Sequence, residues 1–147
     1  MLSVIVKELK NAELNGRALF DVADEAVDLA NIMKGKLQHQ RVAYVFEQSR
    51  VPSGNSRDAG APPMQRITTT YAVVVGVARV NDVKGTKTVK KTEDVLVALR
   101  NCLFGFTPAD NAEPLILGNA NTVGFSDNAL WKLERFITEH YEVSTHV

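Results

Sequence analysis

A single cysteine, Cys102, stands in the 147 residues, so no intramolecular disulfide can form and a reducing compartment is the expectation. An excess of charge of either sign is also missing. Lys plus Arg and Asp plus Glu both number 17, for a formal net charge of zero, which removes the electrostatic footprint of a nucleic-acid binder. No apolar run approaches the roughly 20 residues of a membrane span, and the first ten residues put no basic group ahead of an apolar core. A soluble, intracellular chain with no membrane contact is therefore expected. Hydrophobic residues at 45% suffice to bury one sizeable core, so a single domain over residues 1–147 is the simplest division. No repeat is visible.

Reactive constellations are scarce as well. His39, His140 and His146 have no partner at metal-ligand spacing. Cys102 lies on the apolar stripe of a helical segment and reads as a small hydrophobe, since a reactive thiol needs an electropositive, exposed setting. Asp21, Asp24 and Asp28 form one carboxylate cluster, and a solvated helix start explains Asp24 and Asp28 on one helical face. None of the nine glycines opens a phosphate-cradling loop. No residue is nominated for catalysis, metal binding or a cofactor.

What the chain does contain is a long β-branched run. Over residues 66–80, Ile67, Thr69, Tyr71, Val73, Val75 and Val77 alternate with Thr68, Thr70, Ala72, Val74, Gly76 and Ala78. This predicts a long central strand, with the smaller residues on one face. Residues 41–48 alternate likewise and predict a second strand, with Val42, Tyr44 and Phe46 on one side. Between them, residues 49–65 are rich in Pro, Gly and Ser, and read as a long flexible loop joining an antiparallel pair. Arg50, Arg57 and Arg66 give this loop a positive bias.

Helical signals flank the strands. Leu2, Ile5, Val6 and Leu9 form one stripe of a short amphipathic helix. Asn15-Gly16 is turn chemistry, and residues 17–22 suit a short strand. Asp24 as N-cap, the spacing of Ala26, Val27, Leu29, Ala30 and Met33, and Gly35 as stop predict a helix over 24–34. Residues 81–91 are basic through Lys84, Lys87, Lys90 and Lys91. Without interleaved aromatics they read as a solvated helix entry. Thr92 can cap a helix carrying Val95, Leu96, Leu99, Cys102 and Leu103 and ending at Gly105, though its start near Thr86 or Thr88 is also open. Residues 114–117 and 122–125 suit two short strands that pair. Over 128–143 the periodicity favours a helix. The order implies an α+β fold, an antiparallel or mixed sheet with about three helices on one face, in two layers.

Four stretches together resemble the tail terminator family of tailed phages and prophages, the Mu- and lambda-like minor tail or tail-completion proteins. They are the N-terminal helix with Ala23-Asp-Glu-Ala-Val-Asp-Leu-Ala30; Ala43-Tyr-Val-Phe46 with its loop and Gln65-Arg-Ile-Thr-Thr-Thr-Tyr-Ala-Val-Val-Val75; Asp94-Val-Leu-Val-Ala-Leu-Arg-Asn-Cys-Leu-Phe-Gly-Phe106; and Leu130-Trp-Lys-Leu-Glu-Arg-Phe-Ile-Thr138. Phe106 stands where such proteins commonly carry Trp. The resemblance implies a strand at 129–142, against the helical periodicity. It also implies a non-enzymatic virion tail protein, assembled in the host bacterial cytoplasm as a ring, typically of six subunits. Such a ring stops growth of the tail tube and forms the surface to which the head docks. Its partners would be the tail tube protein and a head-completion or neck protein, with no direct nucleic-acid contact. Arg50, Arg57, Arg66, Lys84 and Lys87 are the candidate partner contacts, the three arginines through charge-assisted contacts to acidic groups on the tube. A head–tail joining or neck protein, a non-phage α+β protein-binding module, and a small enzyme with an unrecognised site are the alternatives.

Overall fold

The structure is a computed structural model that describes residues 1–34, 36–79, 84–126 and 128–146. Chain order is α1 (Leu2–Asn11), β1 (Glu13–Leu14), β2 (Arg17–Ala18), β3 (Val22–Glu25), α2 (Leu29–Ile32), β4 (Arg41–Pro52), β5 (Met64–Ala78), α3 (Thr86–Leu103), β6 (Ile116–Leu117), β7 (Asn121–Phe125) and β8 (Ala129–Val143). This is the expected α+β class with a mixed sheet. Its strand order is β3-β4-β5-β8-β6, with β7 also on β8. Among the described residues only β3 and β4 run parallel; the other pairings are antiparallel.

The central strand is β5, paired along its whole length with β8 and with β4 on its other side. A strand buried on both faces needs apolar residues at both parities, which the 66–80 run supplies. On one face Tyr71, Val73, Val75 and Val77 meet Ile5 and Leu9 of α1 and Val95, Leu99 and Leu103 of α3. On the other, Ala72 and Val74 join Val42, Ala129, Trp131 and Leu133.

That second face corrects one expectation. The helices are not all on one side: α2, through Leu29 and Ile32, packs against the face opposite α1 and α3. The helix expected over 24–34 is mostly absent. Val22–Glu25 pairs instead with residues 42–45 of β4, and Val27 stands 86% exposed, off any apolar stripe. Asp24 is no cap; its Oδ1 accepts from the backbone N–H of Glu25 at 2.8 Å. The cap is Asp28, whose Oδ1 accepts from Asn31 N–H at 2.9 Å, and it starts a helix of one turn. Asp24 and Asp28 therefore share no helical face. Ladder bonds to β4 and burial of Ala23 against α1 outweigh a weak local helical preference. Gly35, the expected stop, lies outside the described residues. The strand expected at 17–22 is split between β2 and β3. Ahead of β2, the tight turn at Asn15-Gly16 joins it to β1 with φ of 54° and 79°, as that dipeptide favours.

The segment read as a loop over 49–65 is strand at both ends, over 49–52 and 64–65. Pairing of β4 with β5 continues through Pro52↔Ile67, past a bulge between Glu47 and Ser49, and leaves only residues 53–63 as the connection. Pro52 is tolerated because β3 ends at Glu25, opposite Val45, so the outer edge of β4 has no ladder there to interrupt. The helix after the basic segment begins at Thr86, and Thr92 lies within it: its hydroxyl donates to Thr88 O at 2.7 Å. The turn after it places Gly105 at φ 87°, as a residue past a helix end requires. Residues 81–83 of the basic stretch lie outside the described residues. The two short strands do not pair with each other; β6 and β7 lie one after the other along β8. Residues 129–143 are a strand, as the resemblance implies.

One ion pair joins the helical layer to the sheet. Arg100 Nη1 of α3 lies 2.7 Å from Glu134 Oε1 of β8, and the Glu134 side chain is nearly buried. Arg100→Met removes the partner and strands that carboxylate. The expected loss is about 2 kcal/mol in urea unfolding, below the full cost of breaking a buried pair because Arg100 reaches solvent. Cys102 is half-buried, with Sγ 3.7 Å from Glu8 O, and burial pushes its thiol up to about 11. At pH 8 the folded protein should react with iodoacetamide roughly 100-fold more slowly than the urea-unfolded chain, as its thiolate fraction is that much smaller. Equal rates would show that the thiol is not held in this setting.

Candidate functional site

The long pair β4–β5 ends in a projecting hairpin, and the nominated arginines lie along it. Arg50 faces Thr69 in the ladder and so points to the side of α1 and α3. Its Nη2 is 3.0 Å from Glu47 Oε1, and that hydrogen-bonded carboxylate raises the guanidinium above its ordinary range. Arg66 lies on the other parity of β5, with Nε 3.8 Å from Glu139 Oε2. Arg50 and Arg66 thus leave the sheet on opposite faces. Arg57 sits in the tip, where its backbone N–H donates to Asn55 Oδ1 at 3.2 Å. The three do not gather into one cationic patch.

The tip is braced at its base by its own polar groups. Ser53 N–H donates to Arg66 O, and Ser56 N–H to Met64 O. Asn55 Oδ1 also accepts from Met64 N–H at 3.0 Å, and Gln65 Nε2 reaches Ser53 O at 2.7 Å. Beyond Ser53 every residue of the tip is exposed.

Lys84 and Lys87 lie at the other end of the sheet. A Cβ on Gly85 would come 3.1 Å from the Phe125 ring, and Phe125 pairs with Leu130, opposite Val77 near the end of β5. The nominated cations therefore form two groups separated by about the length of β5, 15 residues or roughly 45 Å. Both lysines are exposed.

Sequence reading missed an apolar strip at the hairpin end. Val51, Ile116, Ile137 and Tyr141 lie on the face away from α1 and α3, and Val51, Ile116 and Tyr141 are each at least half exposed. Its signal is the alternation of Ile137, Glu139, Tyr141 and Val143, which is readable only once 129–143 is taken as a strand. The helix-side face here is closed instead by residues 112–115: Thr138 Oγ1 donates to Glu113 O at 2.5 Å, and Ala112 bridges to His140. His140 is buried, with Nε2 3.0 Å from Glu142 Oε1.

Among the described residues no three His, Cys, Asp or Glu side chains gather as a metal site. A cleft of about 350 Å³ between α3 and β8 holds Arg100 and Glu134, already joined to each other, with Glu93 and Lys132 at its walls. No helix is long and apolar enough to cross a membrane among the described residues.

A search of curated protein sequences returns no match. The family model described as phage tail terminator protein matches residues 11–144, from the end of α1 to just past β8. The chain belongs to the phage tail terminator family, and its role is that of a structural protein of the phage tail.

Proposed function

We propose that this protein closes as a ring, typically of six copies, on the head-proximal end of the tail tube. There it stops tube polymerisation and offers the surface to which the head docks. The observation that carries this reading is the separation of two exposed contact surfaces by the full length of β5. A terminator touches two partners at once, and one subunit with a contact surface at each end of a rigid sheet can do so. At the hairpin end, the apolar strip, Arg57 and Arg66 face the tail tube protein. At the other end, Lys84 and Lys87 face a head-completion or neck protein. Arg50, held by Glu47, contributes less to new contacts than Arg57, because a paired cation gives up one partner for another.

Capping a polymer needs few molecules. Purified tube protein polymerised with the full-length chain at a few copies per tube should give tubes far shorter than without it, by electron microscopy. Unchanged tube lengths at stoichiometric excess would contradict the reading.

A further inference from the structure

We infer that neighbouring copies in the ring meet head to tail along β3, with the acidic end of β3 and the turn after it in one copy seated in a cationic cavity before β3 of the next. This deepens the ring reading above and rests on it. The cavity measures about 690 Å³ and lies between the β1–β2 hairpin, the start of β4 and α3. Three cations line it, Arg17, Arg41 and Lys91, over apolar walls from Leu14 and Ala18. Arg41 is fixed in place: its Nη2 donates to Ala18 O at 3.0 Å. None of the three is in an ion pair among the described residues. The one acid in the lining, Asp21, is already engaged, since its Oδ2 accepts from the backbone N–H groups of Gln40 and Arg41. The cavity therefore keeps a surplus of positive charge beside an apolar wall.

The complement is on the same chain. Residues 24–28 read Asp-Glu-Ala-Val-Asp, and Val27 projects from them 86% exposed. A valine so exposed, flanked by Asp24, Glu25 and Asp28, is an apolar knob with a negative rim. None of these carboxylates is ion-paired among the described residues. The cavity lies before β3, at Asp21, and the knob spans the last two residues of β3 and the turn after it, with Val27 roughly 20 Å from Asp21 along the strand direction. Two different patches that recognise each other make a heterologous contact, and such a contact closes into a ring when the rotation per copy allows. Opposite charges fix the register, and burial of Val27 against Leu14 and Ala18 supplies the apolar part.

Charge exchange tests the contact. One variant carries Arg17→Glu and Lys91→Glu, giving an acidic cavity with an acidic knob. The other carries Asp24→Lys and Glu25→Lys, giving a basic knob with a basic cavity. Ring content is read by native mass spectrometry of the free chain and by density on tube ends in electron microscopy. Each variant alone should need at least about tenfold more protein than wild type to reach half assembly. An equimolar mixture should recover rings with one-to-one composition, because every junction then pairs opposite charges. The single exchanges Arg17→Glu and Glu25→Lys, which weaken the attraction without reversing it, should each raise the half-assembly concentration, and serve if either double variant fails to fold. Variants that assemble alone like wild type, or a mixture of folded variants that stays apart, overturn the assigned contact and leave the ring standing. Wild type that forms a ring neither in solution nor on tubes overturns the ring itself.

Discussion

Gly76→Ala is expected to cost roughly 3 kcal/mol of stability, at the upper end of what overpacking a core does. Gly76 lies near the end of the central strand β5, directly opposite Trp131 of β8. A Cβ there would lie 2.6 Å from Cζ3 of the indole, 2.8 Å from Cη2 and 2.9 Å from Cε3. The ring covers the bare backbone of β5, as aromatics do over strand glycines. It cannot swing aside cheaply. Trp131 is 2% exposed within the second core, and its Nε1 donates to Ser126 Oγ at 2.8 Å. Nor can the backbone retreat, since β5 is bonded to β4 on one side and β8 on the other. Urea unfolding should report the loss, and the melting temperature should fall by about 6–12 °C. A loss below about 1 kcal/mol would mean that the indole does not lie over this glycine.

Deleting residues 53–63 should have the opposite profile, with little change in stability and loss of capping. Beyond Ser53 the tip buries nothing, and its hydrogen bonds close on its own base. After the deletion, Met64, Gln65 and Arg66 connect Pro52 to Ile67, its ladder partner, through a loop of a length that hairpins commonly use. The unfolding midpoint should move by no more than about 3 °C, while tails assembled with the shortened chain should be overlong. Normal tail lengths from the folded deletion would remove the tip from the tube contact. A large drop in stability would mean that the tip is part of the scaffold.

The strands came out of the sequence wherever period-two patterning was backed by β-branched residues. Both faces of 66–78, the aromatic face of 41–48 and the stripe of α1 were legible in this way, because the forces that place them are local and repeated, while Val80 at the end of the run lies outside the described residues. Three failures have a common cause. The 24–34 segment carries good local helix signals, yet Val22–Glu25 gains more from a parallel ladder with β4, a contact between distant residues. At 49–52 the turn-rich composition hid a strand, since an outer edge accepts a proline that a central strand would reject. Residues 129–143 show helical spacing because Glu134 faces the core, where a pattern of alternation would want an apolar residue; its charge is met by Arg100 from α3. That partner stands 34 positions away in the chain, so no local reading could supply it.

The nominated contacts fared in the same way. Composition picked out the cations, and only the ladder registers revealed that Arg50 and Arg66 leave opposite faces and that Lys84 and Lys87 belong to the far end. The apolar strip of Val51, Ile116, Ile137 and Tyr141 comes from three strands and has no single stretch to betray it.

The most direct test of the account is electron microscopy of tails assembled in cells that lack this protein. Tubes without their terminator should run past the normal length and fail to join heads. Tails of normal length, joined to filled heads, would contradict the assignment of capping to this chain.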